Sequence, residues 1–131
     1  MISAWLPVLI WMFVIFLFSG QPHSAAVTGV VFGQFNLPVR KLAHASEYAI
    51  LFLLSRRAFR ASEGKSTRLK SLKAIVLCLF YALSDEWHQS FVPGRSASLN
   101  DVAIDISGAF LASVTIELHG LFTRVIKNNG S

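Results

Sequence analysis

Residues 2–18 read ISAWLPVLIWMFVIFLF and contain no charged side chain. That length meets the minimum for a helix crossing a hydrocarbon layer about 30 Å thick. The run stops at Ser19-Gly20-Gln21-Pro22, a sequence that a lipid-exposed helix does not readily continue. The same stretch could be read as a cleavable signal peptide, with a small-residue site near Ser24-Ala25-Ala26. Its first residues lack Lys and Arg, however, and its apolar run is long, so it is read as a retained span. The rest of the chain agrees. Of 131 residues 53% are hydrophobic and only 15% are charged. A soluble domain this small leaves too much of its surface exposed to hide that apolar content, so the expected solvent is a bilayer.

Working outward, three further apolar segments follow, at about 41–59, 71–90 and 101–122. Pro93-Gly94 marks a turn between the last two, and Ser98 or Asn100 can cap the helix that follows. Residues 23–38 are broken by Gly29, Gly33 and Asn36, and read as an interfacial or re-entrant piece of unreadable conformation. The expectation is one all-α domain over residues 1–131: a polytopic membrane protein with about four transmembrane helices, at about 2–19, 41–59, 71–90 and 101–122, in a compact bundle.

Charge sets the expected orientation. The formal net charge is +5, and seven of the twelve basic residues are Arg56, Arg57, Arg60, Lys65, Arg68, Lys70 and Lys73, opposed only by Glu63. A short basic loop between two spans marks a cytoplasmic connection. The same loop could hold anionic lipid headgroups. Its one aromatic residue, Phe59, and the lack of a recognisable module argue against nucleic acid. Both termini are then cytoplasmic, in agreement with Arg124 and Lys127 near the end. Trp87 falls at the outer interface and Trp5 near the inner one. The lone Cys78 excludes an intrachain disulfide and reads as a packing residue.

Alternating helices bring most remaining charges to the non-cytoplasmic end. Lys41, His44 and Tyr48 form one stripe of the second span, with Glu47 beside it. Asp85 shares a face with His88 and Gln89, next to Glu86; Arg95 follows in the loop. Asp101, Asp105, Gly108 and Ala112 form a stripe that turns from polar to small, which would let another backbone approach closely. A rise of 1.5 Å per residue puts Asp105 about 6 Å deeper than Asp101, so these groups line a shallow bowl. A charged group near a helix centre costs roughly 2.5–3.5 kcal/mol on insertion scales, so they should face one another. Arg40, Lys41 and Arg95 against Glu47, Asp85, Glu86, Asp101 and Asp105 leave a formal −2 with neutral histidines. Such a bowl would protonate a carboxyl or accept a cationic group. Glu117 reads as an inner interfacial residue, and His23 and His119 have no evident partner.

These residues also carry a resemblance. FSGQP at 18–22, Lys41, His44 and Tyr48 in KLAHASEYAILFLL, and SDEWHQSFVPGRSASLNDVAIDISG at 84–108 resemble the VanZ-like family, over about residues 10–115. The family pattern carries Asn where this chain has Asp105. The resemblance implies a small bacterial inner-membrane protein, linked in the founding member to resistance to teicoplanin, a lipid-tailed glycopeptide antibiotic.

The resulting functional expectation is an outward-facing pocket that binds an envelope amphiphile. Candidates are a membrane lipid, a lipid-linked cell-wall precursor or the lipoglycopeptide, with Lys41 and Arg95 on phosphate or carboxylate. An alternative is an intramembrane hydrolase or transferase using His44, Glu47, Asp85 and Asp101. A proton-coupled transporter is a third reading, weakened by Glu117 being the only ionisable group on the inner side. No zinc motif or nucleophile elbow occurs, and no metal or cofactor is expected. Oligomeric state is open.

Overall fold

The first apolar run forms α1 (Ile2–Ser19), as expected. It ends where Gly20 N–H bonds back to the Phe16 carbonyl at 3.0 Å and the Ser19 hydroxyl donates to the same carbonyl at 3.1 Å. The structure, a computed structural model, describes residues 2–21, 24–62 and 67–129. Pro22, His23, Glu63 and Lys65, which entered the sequence reading, lie outside the described residues.

Four more helices follow: α2 (Ser24–Phe32), α3 (Asn36–Ser62), α4 (Thr67–Gln89) and α5 (Leu99–Asn129), with a short 3-10 turn over Gly33–Phe35. Among the described residues there is no strand, so the all-α expectation holds. The helices outrun the apolar segments because hydropathy marks only their apolar part, whereas the backbone continues helical into polar sequence. Pro38 is tolerated in the opening turn of α3, where its missing N–H has no helical partner to lose. Asp101 in the first turn of α5 and Lys127 in its last suit the helix dipole. The 23–38 stretch is mostly helical. Gly33 turns the chain at φ 52°, and Thr28 Oγ1 donates to Asn36 Oδ1, fastening α2 to the start of α3.

α3 is the hub: α1, α2, α4 and α5 all pack against it, most extensively α5. Two small-residue contacts explain the closeness. A Cβ added to Gly108 would stand 1.9 Å from the Ala45 carbonyl oxygen, so α3 and α5 meet backbone to backbone. This is the close approach that the Asp101–Gly108–Ala112 stripe predicts. On α4, Ala74, Cys78 and Ala82 recur every fourth residue and are fully buried, presenting a narrow face to its neighbours. Cys78 is free and buried, a packing residue.

The distribution of side chains is inverted relative to a water-soluble bundle. Leu9, Phe13, Phe18, Leu72, Phe80, Leu111 and Phe122 are all more than half exposed, while Arg56, Lys70, Asp85, Glu86, Gln89 and Asp105 are buried. Charged groups rarely go inside a soluble protein unless paired, and apolar patches on this scale mark contact with another apolar phase. By length and composition, α5 is the one described helix able to cross a membrane alone; residues Ser3–Ser19 of α1 form a shorter apolar helix. In α4 only residues 74–84 are free of charge, because Lys73 and Asp85 close the segment at either side.

At the end of the bundle near the basic connection, Arg56 joins three helices. Its Nε donates to Ser71 Oγ at 3.0 Å and its Nη2 lies 3.9 Å from Glu117 Oε1, to which Ser71 also donates at 3.3 Å. Glu117 therefore belongs to a helix-fastening group, a partnership its sequence neighbourhood did not reveal.

Candidate functional site

The opposite end of the bundle is where α1 and α4 finish and α3 and α5 begin. The candidate residues gather there in two tiers.

The lower tier is acidic and buried. Asp85, 3% exposed, accepts hydrogen bonds from Ser19 of α1 and from Gln89 Nε2 at 2.9 Å. Gln89 in turn accepts from Arg95 Nη1 at 2.8 Å. One chain of contacts thus runs from the end of α1 through α4 to the loop. Glu86 accepts the Ser98 backbone N–H at 2.6 Å, and Ser98 opens α5, since its carbonyl takes the bonds from Asp101 and Val102. Glu86 therefore holds the loop and the start of α5. Asp85 thus orients other groups, while Glu86 engages the loop through Oε2 and keeps Oε1 buried without a hydrogen-bond partner among the described residues.

Asp105 and Tyr48 lie deepest, at 1% and 0% exposure. Asp105 Oδ1 is 3.5 Å from His44 Nδ1, and Glu47 Oε2 is 3.8 Å from the same nitrogen. Neither Asp105 oxygen nor the Tyr48 hydroxyl has a hydrogen-bond partner of good geometry among the described residues. Buried polar atoms in that condition are uncommon and cost about 1–3 kcal/mol each. Gly108 lies one turn further along α5 than Asp105, and Ala45 follows His44, so the backbone contact sets the spacing of this pair.

The upper tier is basic. A cavity of about 220 Å³ is walled by Arg40, Lys41, His44, Gln89, Arg95 and Asp101, with Leu37, Gly94 and Ser96 completing it. Beside it lies a wider recess of about 360 Å³, bounded by Phe18, Ser19, Gln21, Thr28, Ala43 and Glu47. Arg40, His44 and Arg95 line both. The turn Val92-Pro93-Gly94-Arg95 delivers Arg95 there. Arg95 N–H bonds to the Val92 carbonyl at 3.1 Å and Gly94 has φ 81°, the type II geometry that needs glycine at its third position. Burial lowers the Arg95 pKa from its usual value and the neighbouring Arg40 adds to that, while Asp85, Glu86 and Asp101 oppose. The guanidinium remains charged at any ordinary pH.

All ten candidates therefore fall at one end. Lys41, His44, Gln89, Arg95 and Asp101 line the smaller cavity and Glu47 the wider one; Tyr48, Asp85, Glu86 and Asp105 lie beneath. The formal −2 of the bowl resolves into layers, with Asp85, Glu86 and Asp105 below and the cations, joined by Asp101 and Glu47, lining the cavities. His88, which shares a sequence face with Asp85, instead stacks on Phe16 of α1 at 4.3 Å between ring centroids. Sequence reasoning counted Arg40 in the charge balance without making it a site residue, and it passed over Ser19. A cation next to Lys41 was the available signal for the first. For Ser19 the only hint was a small polar residue ending an apolar span. Among the described residues no group of three His, Cys, Asp or Glu side chains is arranged to hold a metal ion.

A family model described as VanZ/LLP1 matches residues 4–123. No curated protein and no solved structure matches the chain.

Proposed function

The chain belongs to the VanZ/LLP1 family, and on that premise we propose that it is a multi-pass protein of the bacterial cytoplasmic membrane that binds an anionic envelope amphiphile in an outward-facing pocket. The observation that carries this reading is the pairing of two cavities that share Arg40, His44 and Arg95. The smaller suits a charged head: three cations converge on it, and a guanidinium recognises phosphate or carboxylate through paired hydrogen bonds. The wider recess, with Phe18 and Ala43 in its wall, suits the start of an acyl or prenyl chain. Membrane phospholipids, lipid-linked cell-wall precursors and a lipoglycopeptide such as teicoplanin all have this two-part chemistry.

In this arrangement α1, α3, α4 and α5 cross the bilayer with both ends of the chain inside. The largely exposed Val30, Val31 and Phe35 suit α2 and its turn to the interface. Trp87 and Phe91, packed edge to face at 5.3 Å and both largely exposed, form part of the outer aromatic belt. Because Cys78 is buried, an introduced cysteine can report topology cleanly. Ser96→Cys should react with a membrane-impermeant maleimide on intact cells, and Lys127→Cys only after permeabilisation. The reverse pattern would defeat the orientation.

Binding is tested by titrating purified protein in nanodiscs with phosphatidic acid against a phosphatidylcholine background. Arg95→Ala should weaken binding about tenfold to a hundredfold, the loss of one or two charge-assisted hydrogen bonds. Affinity unchanged by that substitution would refute the pocket as the binding site.

A further inference from the structure

Resting on the binding reading, we infer that the pocket is a hydrolytic centre for amphiphiles ending in a phosphate monoester, with His44 as the general base and Asp105 as its positioning partner. Charge selects the substrate class. Arg40, Lys41 and Arg95 against Asp101 leave the walls of the smaller cavity at a formal +2. A terminal phosphate carries about −1.5 to −2 at neutral pH and matches that charge, whereas a phosphodiester carries only −1.

The acid–base geometry is independent of that balance. With Nδ1 turned to Asp105 at 3.5 Å, Nε2 is the ring nitrogen left to the cavities that His44 lines. A carboxylate on Nδ1 fixes the tautomer in which Nε2 can take a proton, and it stabilises the imidazolium that results. Asp105 is buried and its ion-pair partner is His44 Nδ1 at 3.5 Å, a contact short of good hydrogen-bond geometry that a small closing movement would complete. In the step, a water oxygen forms a bond to phosphorus as His44 Nε2 takes its proton, and the ester bond to the lipid oxygen breaks. His44 then returns a proton to that oxygen. The products are a lipid alcohol and inorganic phosphate, and no oxidant or further reactant is needed. Arg40, Lys41 and Arg95 hold the phosphoryl oxygens through the displacement.

The experiment measures binding and phosphate release separately on wild-type protein in nanodiscs, using phosphatidic acid, the diester phosphatidylglycerol and soluble glycerol 3-phosphate. Release of phosphate from phosphatidic acid, and far less from the other two, is the expected result. His44→Gln should cut the rate about a hundredfold or more while phosphatidic acid still binds. Asp105→Asn, which keeps an acceptor for Nδ1–H, should retain more activity than Asp105→Leu, and both should lower kcat with KM little changed. Binding without phosphate release by the wild type would overturn this inference and leave the binding reading standing. Failure to bind any anionic lipid would overturn both. Release undiminished in His44→Gln would overturn the role of His44, and equal turnover of glycerol 3-phosphate would overturn the lipid substrate.

Discussion

Each end of the bundle buries charge between the same three helices, yet the two ends do different things with it. At the basic end Arg56, Ser71 and Glu117 bond to one another across α3, α4 and α5, while the hydroxyl of neighbouring Ser55 is buried without a hydrogen-bond partner among the described residues. At the pocket end Asp85, Gln89 and Arg95 are similarly linked, but His44 Nδ1, Glu86 Oε1, the Tyr48 hydroxyl and both Asp105 oxygens have no hydrogen-bond partner among the described residues, and cavities open beside them. A polar cluster whose members saturate each other is a fastening. One that keeps several buried atoms without partners next to an open volume leaves room for a further group. The contrast separates the two roles in a chain where burial alone would treat them alike.

That contrast can be broken most severely at Gly108. Its missing side chain is what lets α5 meet Ala45, and Gly108→Leu would force the helices apart. We expect a loss of about 3 kcal/mol or more, read as a lowered unfolding temperature in detergent, together with loss of amphiphile binding. Wild-type values for both would show that the close approach does not set the pocket. Arg56→Ala should lower stability by about 1 kcal/mol through the lost hydrogen bond to Ser71, since Ser71 and Glu117 still bond to each other. Amphiphile affinity should stay within twofold, the mirror image of Arg95→Ala, and a large affinity change would erase the distinction between the ends. Ser19→Ala removes a hydroxyl that Asp85 accepts from, and should cost about 1 kcal/mol, with increased proteolytic release of α1 as a second readout. Smallest is Glu117→Gln. Its carboxylate is 41% exposed and 3.9 Å from Arg56, so the change should stay below about 1 kcal/mol in chemical unfolding.

The fold was legible where one physical signal dominated. Residues 2–19 carry no charge, and hydropathy alone marked α1 with its boundaries. The other long helices were found but drawn too short, since α3 runs on past Arg60 and α5 past Phe122 in sequence that hydropathy reads as loop or tail. The 23–38 stretch was opaque because a helix as short as Ser24–Phe32, without a polar face, has no period to detect. Within the site, the face shared by Asp101, Asp105 and Gly108 was visible from spacing, and so was the His44–Tyr48 stripe. What sequence could not supply was pairing between distant groups. Ser19 meets Asp85 across 66 positions, and Glu86 bonds to a backbone N–H that looks the same in every residue. The layering of acids under cations depends on such pairings, so a count of charges gave the sign of the bowl without its arrangement.

The dominance of the α3–α5 contact has a consequence for how the molecule is made. Synthesis delivers α3 and α4 before α5, and α5 supplies both Asp105 and the glycine on which α3 rests. Until that helix emerges, His44 and Arg56 have no counter-charge from it. α5 is also the described helix best able to enter lipid unaided. Its arrival is therefore the event that completes both ends together, and a ribosome stalled before residue 105 would leave a nascent chain with neither the clasp nor the pocket.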